Sequence, residues 1–182
     1  MKFLHVKPWN LTIGAPPKCG SSSIYDALQR EFGVDDLRYC DDVALLKREL
    51  VSGPLVFIVR CPLARFKSLW RNKCRDGGRL DGHDVKGKTP EELFDYILTH
   101  YNHHWTPQRE LLGTLDAELV ALDSLAMWWS WHISFLLLGA YDAPLNELNE
   151  TWGGVPMSDE LKRHVLEYYA DDLVLHALAR DV

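Results

Sequence analysis

The sequence predicts an α/β fold, and three observations predict it. A short apolar segment, Leu11-Thr12-Ile13, runs into a small-residue loop and then a stretch with helical spacing, where Ile24, Leu28 and Phe32 fall at i, i+4 and i+8. A second apolar run, Leu55-Val56-Phe57-Ile58-Val59, is continuous rather than alternating, as in a strand covered on both faces. Strand-like and helix-like segments then alternate along the chain, which implies a central, mainly parallel sheet flanked by helices. The expected architecture is a three-layer, P-loop-like sandwich. At 182 residues, one domain spanning 1–182 is large enough to bury a real core.

The elements follow in order. Leu11-Thr12-Ile13 is the first strand, and the helix after it carries Ile24 and Leu28 on one face. Leu37 to Cys40 reads as a short second strand. Gly53-Pro54 and Arg60 bound the run Leu55–Val59. Pro62 suits the first position of the next helix, with Leu63, Phe66 and Trp70 lining one side and Arg65, Ser68 and Asn72 on a polar side. Gly77 to Lys88 is rich in glycine and charge and reads as a loop. Thr89-Pro90-Glu91-Glu92 is a capping box, which predicts a helix through about Tyr101. Glu118 to Leu122 is a further strand, followed by a tryptophan-rich helix over Leu125 to Tyr141. Ser158-Asp159-Glu160 caps a C-terminal helical region.

Composition narrows the function. Hydrophobic residues are 47% and charged residues 25%, so disorder is not expected. The net charge of −6 argues against a general nucleic-acid binder. That charge is uneven: from Arg60 to Arg79 there are seven basic residues (Arg60, Arg65, Lys67, Arg71, Lys73, Arg75, Arg79) against the single acid Asp76. The segment reads as an anion site, with a solvated helix face as the competing structural reading. Cations near a helix start meet the wrong end of its dipole unless an anion is present. Cys19, Cys40, Cys61 and Cys74 show neither a C-x-x-C pair nor zinc spacing and read as reduced thiols. The apolar stretch at Leu125 to Tyr141 is interrupted by Ser130, His132 and Ser134 and is shorter than the ~20 residues of a membrane span. No membrane partner is therefore expected, and no metal site.

The strand, loop and helix around Lys18-Cys19-Gly20-Ser21-Ser22-Ser23 form the layout of a phosphate cradle. Loop N–H groups and the positive helix end face an anion, and the lysine adds a full charge. A triphosphatase loop would place its lysine after the second glycine, followed by a magnesium-holding hydroxyl. Here Lys18 precedes Gly20 and the hydroxyls come after it. Asp123, at the end of Leu119-Val120-Ala121-Leu122, could still be read as a magnesium-site aspartate. A magnesium-dependent P-loop nucleotide kinase is therefore the first alternative.

Pro17-Lys18-Cys19-Gly20-Ser21-Ser22-Ser23 resembles the 5′-phosphosulfate loop of sulfotransferases that use 3′-phosphoadenosine 5′-phosphosulfate (PAPS). Val59-Arg60-Cys61-Pro62-Leu63-Ala64-Arg65-Phe66-Lys67-Ser68 resembles their 3′-phosphate motif, with Cys61 where an aspartate is usual. His104-Trp105-Thr106-Pro107-Gln108 and Tyr169-Ala170-Asp171-Asp172-Leu173 are similar to elements of the carbohydrate sulfotransferase branch. The resemblance implies that Lys18 and the Cys19–Ser23 loop bind the 5′-phosphosulfate, and that Arg60 and Ser68 hold the 3′-phosphate. It implies PAPS as donor, adenosine 3′,5′-bisphosphate as product and no metal. It also implies a hydroxyl of a carbohydrate or other small molecule as acceptor. Lys18 would stabilise charge on the leaving phosphate.

The general base stays open among His104, His103, Asp41, Asp42 and Glu49, with His104 preferred because imidazole titrates near neutral pH. The competing reading for His104 is a structural histidine beside Trp105, and for Asp41-Asp42 a helix N-terminus. His132 and most tryptophans read as core residues, with Trp105 and Trp152 as the candidate sugar platforms. The remaining expectations are a cytoplasmic location, from the lack of a signal or anchor segment, and a homo-oligomer as an open option. A nucleotide-binding module without catalysis is the third reading.

Overall fold

The computed structural model describes residues 2–33, 37–40, 53–77, 80, 82–129 and 155–180. Its strands are β1 (Lys2–Val6), β2 (Leu11–Ala15), β3 (Leu37–Cys40), β4 (Leu55–Val59) and β5 (Glu118–Ala121). They form one open sheet in the order β3-β1-β2-β4-β5. β2 pairs parallel with β4 (Ile13 opposite Val56), and β4 with β5 (Phe57 opposite Leu119). β1 runs antiparallel to both β2 and β3, with Leu4 opposite Ile13 and Tyr39.

The sheet is thus mixed, which corrects the mainly parallel sheet expected from the sequence. Four strands share a direction and β1 is inserted against them. The connection explains it. Only the 3-10 turn Lys7–Trp9 and Asn10, which is left-handed with φ 48°, separate β1 from β2. So short a link can make a hairpin but not a crossover between parallel strands.

The helices are α1 (Ser21–Phe32), α2 (Pro62–Trp70), α3 (Pro90–Thr99), α4 (Gln108–Leu112), α5 (Asp159–Tyr168) and α6 (Ala170–Leu178). α2 runs on into a π-helical turn over Arg71–Arg75. The capping box forms as expected: Glu92 N–H donates to Thr89 Oγ1 at 3.2 Å, and Thr89 N–H to Glu92 Oε2 at 2.7 Å. α3 stops two residues short of Tyr101.

β4 shows why its sequence is apolar throughout. Val56 and Ile58 enter a cluster with Ile13, Ile24 and Leu28 under α1, while Phe57 and Val59 pack with Leu112 of α4, Leu175 of α6 and Ala179 at the end of α6. Helices therefore cover both faces of the sheet's centre. A third, helical cluster joins α2, α3 and α5 through Phe66, Leu69, Leu93, Phe94, Leu161 and Val165. Trp105 is buried in that cluster, and Trp128 and Trp129 in the one under α1, so these three tryptophans are core residues. Trp152 and His132 lie outside the described residues. No helix among the described residues is long and apolar enough to cross a membrane.

Candidate functional site

The parallel pairing of β2 and β4 puts their C-terminal ends side by side, and the loops leaving them build the site. After β2 the chain turns tightly, with Cys19 N–H donating to the Pro16 carbonyl at 3.0 Å. Lys18 is left-handed with φ 69°, and Gly20 has φ 77° as the N-cap of α1. Glycine is at ease there, but a lysine in this region is unusual and is held by its surroundings. Ser21, Ser22 and Ser23 form the first turn of α1, whose N–H groups have no intrahelical acceptor and whose dipole favours an anion.

Arg60 leaves β4 beside this loop. Its guanidinium donates to the Lys18 carbonyl at 2.8 Å, so the two cationic residues are joined directly. Gln108, at the start of α4, fastens the pair to the fold. Its Oε1 accepts from Arg60 N–H at 2.9 Å and from the Cys19 thiol at 3.1 Å, and its Nε2 donates to the Arg60 carbonyl at 2.8 Å. The buried Asp172 carboxylate then accepts from the backbone N–H groups of Gln108 and Arg109, each at 2.8 Å.

Arg65 is buried and works as a brace. It donates to the carbonyls of Pro17 (3.2 Å), Thr106 (2.9 Å) and His104 (3.3 Å), and lies 4.0 Å from Asp172. Tyr169 adds a bond from its hydroxyl to the Trp105 carbonyl at 2.7 Å.

The electrostatics concentrate positive charge at the loop. Burial pushes the Lys18 ammonium down to about 8, with Lys73 and then Arg60 adding to the shift. Burial pushes the Cys19 thiol up to about 11, so it stays protonated and donates to Gln108. His104 is pushed down to about 3, first by burial, then by His103, Lys73, Lys18 and Arg65. Its Nδ1 is fully buried and has no hydrogen-bond partner among the described residues. A neutral imidazole with an unsatisfied nitrogen therefore faces a group of cations, an arrangement suited to an anionic ligand.

No protein-family model, curated protein or solved structure matches this chain.

The sequence-predicted residues fall into three groups. Lys18, Cys19, Gly20, Ser21, Ser22, Ser23 and Arg60 come together at the strand ends, and the charges of Lys18 and Arg65 reach His104. Ser68 is buried on α2, two turns into the helix. His103 is exposed, its ring 4.4 Å from that of His104. Asp41, Asp42 and Glu49 lie outside the described residues.

Asp123 is engaged elsewhere, 3.4 Å from His176 Nε2 and 3.8 Å from Arg180 Nε at the end of α6. Sequence reasoning gave no role to Gln108, Asp172 or Lys73. The first two stand inside quoted motifs, but their partners are 48 and 64 residues away along the chain. Lys73 was visible only as one charge in the basic segment.

Proposed function

We propose that this chain is a PAPS-dependent sulfotransferase that moves a sulfuryl group to a hydroxyl of a carbohydrate or other small acceptor, in a P-loop-like three-layer fold. The observation that carries the reading is the direct junction of Lys18 and Arg60 at the ends of two neighbouring parallel strands, beside the glycine-capped start of α1. Ligands of open α/β sheets sit in that position. A donor with phosphate at both the 3′ and 5′ positions needs two separate cationic points, and the sequence resemblance assigns one to each residue.

In the transfer, the acceptor oxygen forms a bond to sulfur while the bond from sulfur to the bridging oxygen breaks. That electron pair stays on the 5′-phosphate, where Lys18 and the α1 N–H groups offset the growing charge. Placement in line and preorganised charge supply most of the effect, as in phosphoryl transfer.

His104 receives the acceptor's proton in this reading. Without ligand, burial and then its cationic neighbours keep it neutral far below pH 7. A bound polyanion offsets the charge of those cations and so raises its basicity, although burial still opposes the charged form.

Calorimetry with adenosine 3′,5′-bisphosphate and ADP, each with and without magnesium, tests the reading. Metal-independent binding of the bisphosphate, weakened in Arg60→Ala and Ser68→Ala, supports it. A preference for magnesium-ADP would overturn it in favour of a kinase. An acceptor screen with labelled PAPS separates an enzyme from a binding module.

A further inference from the structure

Gln108 is fully buried, and every hydrogen-bonding position of its side-chain amide is taken. Oε1 accepts from the Arg60 N–H and from the Cys19 thiol. Nε2 donates to the Arg60 carbonyl and, at 3.3 Å, to Asp172 Oδ2. These partners fix which end of the amide points where. Turning it over would set the NH2 against the Arg60 N–H, and the oxygen against a carbonyl and a carboxylate.

The pairing of β4 with β5 ends at Val59 and Ala121, one residue before Arg60. There the Gln108 amide takes the part of a neighbouring strand, since it meets both the N–H and the carbonyl of Arg60. With both backbone groups bonded, the direction in which the Arg60 side chain leaves the strand end is set. The same amide touches Cys19, the residue between Lys18 and Gly20. Its two holds are unequal. A thiol is a weak donor, whereas Arg60 is gripped by two amide bonds of 2.9 and 2.8 Å. The Lys18 loop also has its own closure, from Cys19 N–H to the Pro16 carbonyl, and the Arg65 bond to the Pro17 carbonyl. Loss of the amide therefore falls more on Arg60 than on Lys18.

We propose that Gln108 is a positioning residue for the 3′-phosphate of the nucleotide, an inference that rests on the sulfotransferase reading. By gripping the Arg60 backbone, it sets the guanidinium at the spacing from the Lys18 loop that a nucleotide with both phosphates requires. The two phosphates are joined through one ribose, so the ligand dictates their separation. A site whose cationic points already stand at that separation loses less entropy on binding. Gln108 touches neither phosphate and acts through Arg60.

Titration of the full chain with adenosine 3′,5′-bisphosphate and with 5′-AMP, which lacks the 3′-phosphate, tests this. The proteins compared are wild type, Gln108→Met, Arg60→Ala and the double variant. Wild type should bind the bisphosphate at least about tenfold more tightly than 5′-AMP, the scale of a hydrogen bond to a charged group. Gln108→Met, unbranched and without the amide, should cut that preference to about threefold or less and keep 5′-AMP affinity within about threefold of wild type. Arg60→Ala should lose the preference too, and adding Gln108→Met to it should cost nothing more, because both act at one point. Three results would overturn the assignment and leave the sulfotransferase reading intact: equal loss for both nucleotides in Gln108→Met, an unchanged preference, or a further loss in the double variant. A wild type with no preference for the bisphosphate overturns both. If Gln108→Met does not fold, hydrogen exchange at the Arg60 amide of the wild type gives the answer. A 3′-phosphate whose binding needs this N–H held by Gln108 must suppress its opening, so saturating bisphosphate should slow exchange more than saturating 5′-AMP. Equal slowing, or none, overturns the proposal.

Discussion

The loop from Pro16 to Ser23 and the segment from His100 to Arg109 border the same site but are held in opposite ways. The loop is shaped by its own neighbours: a turn closed by Cys19 on Pro16, two left-handed residues, and a helix that begins at Gly20. The segment has a local turn at Asn102, yet its position depends on distant groups, namely Arg65 on α2 and Asp172 and Tyr169 at the α6 end of the chain. Gln108 is the joint between the two, since one side chain meets Cys19, both backbone groups of Arg60, and Asp172. The loop can therefore be built locally, while its alignment with His104 is a property of the whole fold.

The largest break in this comparison is Asp172→Ala. It leaves one buried and one part-buried N–H group and the Arg65 guanidinium without their carboxylate, and one-sided removal of a buried ionic partner costs about 3–5 kcal/mol. Urea unfolding should show that loss. A change under about 1 kcal/mol would mean that the two regions are aligned by packing alone.

Lys18→Met tests the other region. Bisphosphate affinity should fall about 10- to 100-fold. Stability should stay level or rise, because a half-buried cation next to Lys73 and Arg60 has been removed. A large drop in the thermal midpoint would show that Lys18 is structural.

A third test uses pH. With Lys18 titrating at about 8, bisphosphate affinity in wild type should weaken about tenfold between pH 7 and pH 9 as the ammonium is lost. The sign for folding is opposite. Between about 8 and the ordinary 10.5 the unfolded chain holds this proton and the folded chain does not, so the Lys18 contribution to stability rises with pH. Lys18→Met should lack both dependences.

The smallest effect serves as the control. Thr89→Ala removes the capping box of α3, at about 1 kcal/mol, and should leave nucleotide affinity unchanged because that helix start takes no part in the site.

Much of the fold could be read from local pattern. The apolar run of β4 announced a strand covered on both faces, Thr89 and Glu92 announced a helix start, and the small-residue loop after β2 announced the start of α1. β1 escaped notice because five residues, with His5 breaking the apolar run, give a weak signal whose meaning depends on pairing with β2 and β3. Arg65 and Lys73 looked alike in sequence as two charges of one basic helix. Only the packing shows Arg65 bracing three carbonyls inside the fold.

The sequence by itself determined what a few consecutive residues can decide: turn geometry at Gly20, helix starts, the continuous apolar strand, and a lysine poised at a helix N-terminus. The tertiary structure decided which distant groups share a low-dielectric space. Burial and neighbouring charge, not residue type, move Lys18 to about 8 and His104 to about 3. Those fields act through space across contacts that join α2, α4 and α6 to two strand ends, and no local pattern encodes that proximity.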